Sequence, residues 1–170
     1  FDEIIREGYD SHVRGVGLRP TKSKKFCPSS RLLKPSFLVL HKWIESGFVA
    51  GPFEEPPVQD PKIIGLLFVP KDAANVRLVM DMSSPEHFSF NDGISKDYKE
   101  QYELQIATPP EVLERAKEIG PDGWVAKCDI RDAYKRYSIN PSQWRLQCFR
   151  FFGLYFLDYK MVFGDTKCVH

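Results

Sequence analysis

The chain has 170 residues, of which 42% are hydrophobic and 14% are aromatic, and its formal net charge at pH 7 is +1. This length suits one domain, and this apolar content excludes disorder along the whole chain. No apolar run approaches the roughly 18 residues of a membrane-spanning helix, so we expect no membrane partner.

The N-terminal residues and the cysteines indicate in which cellular compartment the protein is expected. The first residues, FDEIIREGYDSH, lack the pattern of a secretory signal, and none of the four cysteines lies in a CxxC pair. Reduced thiols in an intracellular protein, cytoplasmic or nuclear, are the expectation. A start at Phe1 and an apolar end, MVFGDTKCVH, predict that the chain is a piece of something longer.

Charge is unevenly distributed near the N-terminus. Between Asp10 and Glu45 there is no acidic residue, and the stretch is basic at Arg14, Arg19, Lys22, Lys24, Lys25, Arg31, Lys34 and Lys42. Such a run can bind a phosphate backbone, above all through its first five members, or can be a solvated, partly flexible arm. We expect residues 1–30 to be loosely structured, apart from a short helix over 2–7, ahead of a domain over 31–170.

The first strong helix signal follows Lys34. Phe37, Leu40 and Ile44 recur at helical spacing, and Gly47 supplies a stop. The next stretch, GPFEEPPVQDP over 51–61, predicts a connector that is neither a helix nor a central strand.

A hairpin and a second helix are predicted next. Strands over 63–69 and 76–82 are joined by a short link at 71–75. Residues 83–107 indicate a loop with a turn at Asn91-Asp92-Gly93. A capping box of Thr108 and Glu111 begins a helix that ends at Gly120 and has its apolar face at Val112, Leu113, Ala116 and Ile119.

After Gly120 the pattern is that of strands. One is predicted over 124–130, a short one over 136–139, and a hairpin from RLQCFRFF and LYFLDYKMV on either side of Gly153. The order of helix, two strands, helix and further strands predicts an α+β fold, with mainly antiparallel strands and packed helices.

The stretch WVAKCDI places a carboxylate, Asp129, at the end of a predicted strand. One carboxylate and a nearby backbone carbonyl are the fewest ligands from which a Mg²⁺ site could be built, because Mg²⁺ prefers oxygen ligands. The alternative is that Asp129 only caps the turn, with Asp132 solvated.

The segment CDIRDAYKRYSINPSQWRLQCFRFFGLYFLDYKMVFG resembles the palm of retroelement reverse transcriptases. In that family an Asp ends a strand and precedes a hydrophobic residue, two further residues, Ala and an aromatic. RLVMDMSSPEHFSFNDGI resembles the fingers, and LHKWIESGFVAGPFEEPP resembles the helix and connector before them. The SSP…SFNDGI variant is most similar to DIRS-type retrotransposons, which encode a tyrosine recombinase. The resemblance covers about 33–164 and implies fingers over about 31–122 and an incomplete palm over about 123–170.

The resemblance also implies a catalytic metal site. Asp129 corresponds to the first metal-binding and catalytic Asp, and Ile130 would lend its backbone carbonyl to the same Mg²⁺ or Mn²⁺. Two further acids would come from an Asp-Asp hairpin. No Asp-Asp pair occurs in the sequence, and Asp158 stands in a different hairpin. We therefore expect this chain to be inactive alone.

Substrate contacts are implied at five positions. Arg77 and Lys71 would bind the triphosphate of the incoming nucleotide, and Tyr134 would lie under its sugar. Phe163 and Gly164 would begin the turn under the template and primer. Relatives have Leu-Pro before that turn, where this chain has Met-Val.

The implied function is that of a fragment of an RNA-directed DNA polymerase. The parent would transfer nucleotides from dNTPs to a primer 3′-OH by a two-metal mechanism, with an RNA template, a DNA primer and the rest of a polyprotein as partners. One alternative is a non-catalytic nucleic-acid-binding module from a decayed or recruited retroelement. Another is an unrelated α+β domain in which Asp129 is structural.

Overall fold

The computed structural model describes residues 6–21, 28–95, 107–124 and 126–164. Its helices and strands are α1 (Ser30–Glu45), β1 (Val49–Phe53), β2 (Ile63–Pro70), β3 (Val76–Asp81), α2 (Pro109–Ile119), β4 (Cys148–Phe151) and β5 (Leu154–Asp158). Short 3₁₀ helices lie at Gly15–Leu18, Asn91–Gly93, Ala133–Arg136 and Pro141–Leu146. Within these ranges, no helix combines the length and the apolar character needed to cross a membrane.

The strands form one five-stranded sheet in the order β1-β5-β4-β2-β3. Neighbouring strands are antiparallel except for β2 and β4, which run parallel through the pairs Ile63–Cys148 and Ile64–Phe149. This parallel pair joins the β2–β3 hairpin to the β4–β5 hairpin in one sheet. The predicted α+β fold and both predicted hairpins are confirmed.

Helix α1 packs on the sheet and helps to close the main core. Its Leu40 is buried, as are Ile64 and Leu66 of β2 and Phe149 and Phe156 of the second hairpin. A second, smaller cluster consists of Tyr9, Ile139 and Met161, with Tyr134 and Trp144 packed against it. The smaller cluster lies under the segment that follows Asp129, so it supports the candidate site.

Strand β1 was not predicted, because Gly51 and Pro52 lie inside it. Proline donates no hydrogen bond to a ladder, so it is tolerated where one side of the strand faces no neighbour. Among the described strands β1 lies at the edge of the sheet and pairs with β5 alone, which agrees with the exclusion of a central strand here. The predicted connector is correct from Glu54 onward.

The predicted strand over 124–130 is wrong in the structure. Residues 126–130 have no regular secondary structure and are exposed, and Trp124 is 96% exposed. A strand needs a hydrogen-bonded neighbour, and among the described residues none pairs with this segment. The predicted strand over 136–139 is likewise replaced by a 3₁₀ helix ending at Arg136 and isolated bridges at Ser138 and Ile139.

The described part of the N-terminal arm contacts the domain through two isolated bridges. Tyr9 forms a parallel bridge with Ile139, and Val13 forms an antiparallel bridge with Ile94. Val13 is fully buried. Residues 6–7 are helical, and the rest of the helix predicted over 2–7 lies outside the described residues.

Helix α2 begins with the predicted capping box, in which Glu111 accepts hydrogen bonds from the backbone N–H and the hydroxyl of Thr108. Its predicted apolar face is not buried in this chain. No residue of the helix is buried, and Leu113 is 61% exposed.

Candidate active site

Asp129 and Ile130 lie in the exposed segment that precedes a tight turn. Asp132 adopts φ +52°, a left-handed conformation in which short polar residues are enriched, and the 3₁₀ helix Ala133–Arg136 follows at once. Arg131 Nε lies 3.7 Å from an oxygen of Asp132. The turn thus presents the Asp129 carboxylate to solvent and directs the following residues toward the core.

The donors at this place fit part of a magnesium site. A carboxylate and a backbone carbonyl are the oxygen ligands that Mg²⁺ prefers. Among the residues that the structure describes, however, no group of three or more His, Cys, Asp or Glu side chains could hold a metal ion. Asp129 and Ile130 are therefore suited to be two ligands of a site that needs further ones.

Tyr134 and Phe163 are brought together by the fold. Their ring centroids lie 5.5 Å apart with an interplanar angle of 78°, an edge-to-face contact. The two rings face a crevice of about 150 Å³, whose other lining residues are Trp43, Leu78, Met80, Asp132, Ala133, Lys135, Met161 and Val162. Tyr134 is half-buried against the smaller cluster, whereas Phe163 is exposed.

Gly164 holds the Phe163 turn against β3. Its φ is +118°, and a Cβ added there would lie 2.8 Å from the carbonyl oxygen of Met80. The side-chain amide of Asn91 donates to the Gly164 carbonyl at 2.9 Å and to Ser83 Oγ at 3.1 Å. Asn91 belongs to the segment whose resemblance to the fingers was noted, but no pattern in the sequence indicated its contact with Gly164.

Arg77 lies on the opposite face of β3 from the crevice. Burial alternates along the strand, so that Leu78 and Met80 face the core while Arg77 is exposed. Arg77 is paired with Val69 across the hairpin. The structure therefore does not bring Arg77 into the crevice that Tyr134 lines.

Lys71 lies at the tip of the β2–β3 hairpin and is exposed. Its backbone N–H donates to the Asn75 carbonyl, and the Asp72 carboxylate accepts from the backbone N–H groups of Ala74 and Asn75. The tip is thus a closed turn that holds Lys71 at a defined place on the surface.

Arg14 and Arg19 are exposed on the ordered part of the arm. The Arg19 guanidinium lies 5.7 Å from the Phe88 ring, and the Arg19 carbonyl accepts a hydrogen bond from the fully buried Lys62. Lys22, Lys24 and Lys25 lie outside the described residues.

A buried ion pair, which the sequence did not indicate, lies beside the turn at Asp132. Asp158, which is 0% exposed, accepts a hydrogen bond from Lys135 Nζ. The same ammonium lies 4.5 Å from the centroid of the Trp43 ring. Burial raises the pKa of the Asp158 carboxyl, and the charge and hydrogen bond of Lys135 offset part of that rise.

No family model and no curated protein matches the chain. Among solved structures it is similar to a foamy viral protease–reverse transcriptase in complex with double-stranded DNA, with a TM-score of 0.59 and 13% identity over 86% of this chain and 22% of that one. The native protease–reverse transcriptase of prototype foamy virus gives a TM-score of 0.53 and 18% identity over 87% of this chain and 17% of that one. The chain thus spans about a fifth of the length of these proteins. At such identities the likeness is one of fold, and the fold of this chain is reverse-transcriptase-like.

Proposed function

We propose that the chain is the fingers and part of the palm of an RNA-directed DNA polymerase from a mobile element, most similar to DIRS-type retrotransposons. One observation carries the proposal. The palm motif and the Phe-Gly turn, which are distant in sequence, meet at the Tyr134–Phe163 ring contact within a reverse-transcriptase-like fold.

Each site residue has a role in nucleotidyl transfer. Asp129 and the Ile130 carbonyl would hold Mg²⁺ or Mn²⁺, which supplies electrostatic stabilisation of the attacking and leaving oxygens when bound. Tyr134 packs against the sugar of the incoming nucleotide. The resemblance assigns Arg77 and Lys71 to its triphosphate, and the planar fork of Arg suits phosphate oxygens. Arg77 would have to reach that triphosphate from the face of β3 opposite the Tyr134 crevice.

The partners follow from these roles. They are an RNA template, a DNA primer, a dNTP and the rest of the parent polyprotein. One structural neighbour was solved with double-stranded DNA, which supports a nucleic-acid duplex as partner. Arg14 and Arg19, together with Lys22, Lys24 and Lys25, contact the sugar–phosphate backbone, and Phe163 and Gly164 lie under the template and primer.

A non-catalytic nucleic-acid-binding module is the second candidate. It is favoured by the single carboxylate at Asp129 and by the lack, in the described part of the chain, of a three-residue metal-ligating group. A module of this kind would retain the contacts with a nucleic-acid duplex and would not need the Asp129 carboxylate.

An assay of nucleotide incorporation distinguishes the polymerase fragment from the non-catalytic binding module. The 170-residue chain is assayed with primer, template, dNTPs and Mg²⁺, beside a longer polypeptide that carries an Asp-Asp hairpin after residue 170. We expect the chain not to incorporate nucleotides and the longer polypeptide to do so. In the Asp129→Asn variant of the longer polypeptide, the rate of incorporation should fall at least about a hundredfold. Incorporation that persists in that variant would overturn the metal-binding role of Asp129, and robust incorporation by the pure chain would overturn the expectation that the chain is inactive alone. No incorporation by the longer polypeptide would favour the binding module.

A further inference from the structure

The Lys135–Asp158 pair connects three parts of the molecule. Lys135 belongs to the 3₁₀ helix that directly follows the Asp129 turn, and Asp158 is the last residue of β5. The Lys135 ammonium also lies over the ring of Trp43, on α1. The segment that bears Tyr134 is therefore fastened to the sheet and to α1 at the residue next to Tyr134.

Asp158 is itself held firmly. Its backbone N–H donates to the Gln147 carbonyl at 3.1 Å, and its Oδ1 accepts from the Lys160 backbone N–H at 2.9 Å. Across the sheet it is paired with Val49 of β1. The carboxylate is thus a fixed point, and Lys135 is the side chain that reaches it.

Other contacts of this segment are weaker. The 3₁₀ helix Ala133–Arg136 contains no buried residue, and Arg136 Nε donates to the Arg131 carbonyl at 3.4 Å. Tyr134 is half-buried against the smaller cluster and touches Phe163, which is itself exposed. A short helix of this kind has little stability of its own, so its position depends on what fastens it.

We propose that the Lys135–Asp158 pair positions the Tyr134 ring in the candidate site. Asp158 is fully buried. Lys135 lines the crevice, but its ammonium is engaged by Asp158 and lies over the Trp43 ring. We therefore treat both as positioning residues that act through the 3₁₀ helix. The consequence for sugar selection rests on the proposed function, whereas the placement of the ring does not.

The ring position can be measured in the chain itself. The seven tyrosines are replaced by 3-fluorotyrosine, and the fluorine resonance of Tyr134 is identified by its absence from the Tyr134→Phe variant. In Asp158→Asn, which keeps the shape of the side chain, we expect the Tyr134 resonance to move toward the position of a solvent-exposed tyrosine. The Tyr155 resonance, from β5, should stay in place.

Further variants separate positioning from loss of fold. Lys135→Arg keeps the charge and should preserve the Tyr134 resonance, whereas Lys135→Met should shift it. Lys160→Met is the matched control, because the Lys160 ammonium bonds Ser138 Oγ at an exposed place. Should a single variant fail to fold, Lys135→Met/Asp158→Asn removes both charges together and leaves no unpaired buried ion. A Tyr134 resonance that is unchanged in a folded Asp158→Asn or double variant overturns the proposal.

A polymerase containing the chain supplies the functional readout. In Asp158→Asn the ratio of kcat/KM for dNTP to that for rNTP should fall by about tenfold, since small misplacements of a positioned group are costly. A purely structural role would lower both rates and leave the ratio unchanged. A shifted Tyr134 resonance with an unchanged ratio would retain the positioning role and contradict the sugar contact in the proposed function.

Discussion

The side-chain amide of Asn91 donates a hydrogen bond of 2.9 Å to the carbonyl oxygen of Gly164. This bond ties the loop after β3 to the turn that begins at Phe163. Because Gly164 directly follows Phe163, the bond restrains the backbone next to the Phe163 ring, which lies beside Tyr134.

Asn91→Ala tests the importance of that bond. The variant loses the bonds to Gly164 and Ser83, and we expect the free energy of unfolding to fall by about 1–2 kcal/mol. Asn140→Ala is the control. It removes a cap that accepts from the backbone N–H of Ser142 and should cost about 1 kcal/mol. Urea unfolding gives both values, and only Asn91→Ala should also weaken binding of an RNA–DNA hybrid. Equal hybrid binding by the two variants would speak against a role for the turn.

Gly164 should not tolerate a side chain. Alanine there would place Cβ 2.8 Å from the Met80 carbonyl oxygen and would strain a φ of +118°. We expect a loss of about 2–4 kcal/mol, the sum of overpacking and backbone strain. Gly153→Ala has a positive φ of +86° with only Arg150 Nη2 as near as 4.0 Å, so it should cost only about 1 kcal/mol. Thermal unfolding of the two variants checks the difference, and similar costs would mean that the turn is not pressed against β3.

The buried side chain of Lys62 should make the free energy of unfolding depend on pH. It is fully buried and donates to the carbonyls of Arg19 and Phe88, which a neutral amine can also do. Burial lowers the pKa of Lys62 from 10.5 to about 8. Above pH 8 the folded state therefore releases a proton that the unfolded state keeps until about 10.5. The free energy of unfolding should rise with pH in this window, with a slope approaching about 1.4 kcal/mol per pH unit.

Lys62→Met supplies the comparison for that slope. Burial raises the pKa of the Cys148 thiol from 9.0 to about 12, which makes stability fall with pH above 9 and opposes the Lys62 contribution. Because Cys148 is present in both proteins, the difference between their urea-unfolding curves at pH 8, 8.5 and 9 isolates Lys62. Parallel pH dependences for the two proteins would contradict a proton release by Lys62.

Hydrogen exchange tests whether the backbone of residues 126–130, which include Asp129, is unpaired. In this chain the amides of residues 126–130 should exchange at rates close to those of an unfolded peptide, because the segment is exposed and unpaired among the described residues. The amides of Phe149 and Phe156, in the buried hairpin, should be protected. In a longer polypeptide that supplies a neighbouring strand, protection should extend to 126–130. Protection of that segment in the 170-residue chain would contradict the structure.

Local signals predicted much of the fold. The alternation of burial along β3 and the capping box of Thr108 and Glu111 are properties of neighbouring residues, so they are visible in a sequence. The strand predicted over 124–130 failed for the opposite reason. Its apolar pattern is real, but whether it pairs depends on a strand elsewhere in space, and no local pattern records that.

The site was predictable to the extent that its residues belong to motifs. Tyr134 and Phe163 were both assigned from the resemblance, and the structure places their rings in contact. Arg77 was assigned by the resemblance to the triphosphate of the nucleotide whose sugar lies on Tyr134, but the structure places it on the other face of β3 from the crevice. The Lys135–Asp158 pair joins residues that are far apart in sequence, and a lysine and an aspartate in separate segments give no sign that they meet.

Salt-dependent binding of an RNA–DNA hybrid tests the central claim most directly. The chain is titrated into a labelled hybrid at about 50 and 200 mM salt, where the loss of affinity counts the phosphates that it contacts. We predict measurable binding at the lower salt, a steep loss at the higher, and a salt slope reduced by about 1 in each of Arg14→Gln and Arg19→Gln. Arg115→Gln, on exposed α2, should leave the slope unchanged. No measurable binding at the lower salt, or binding that salt does not weaken, would contradict a nucleic-acid function for this chain.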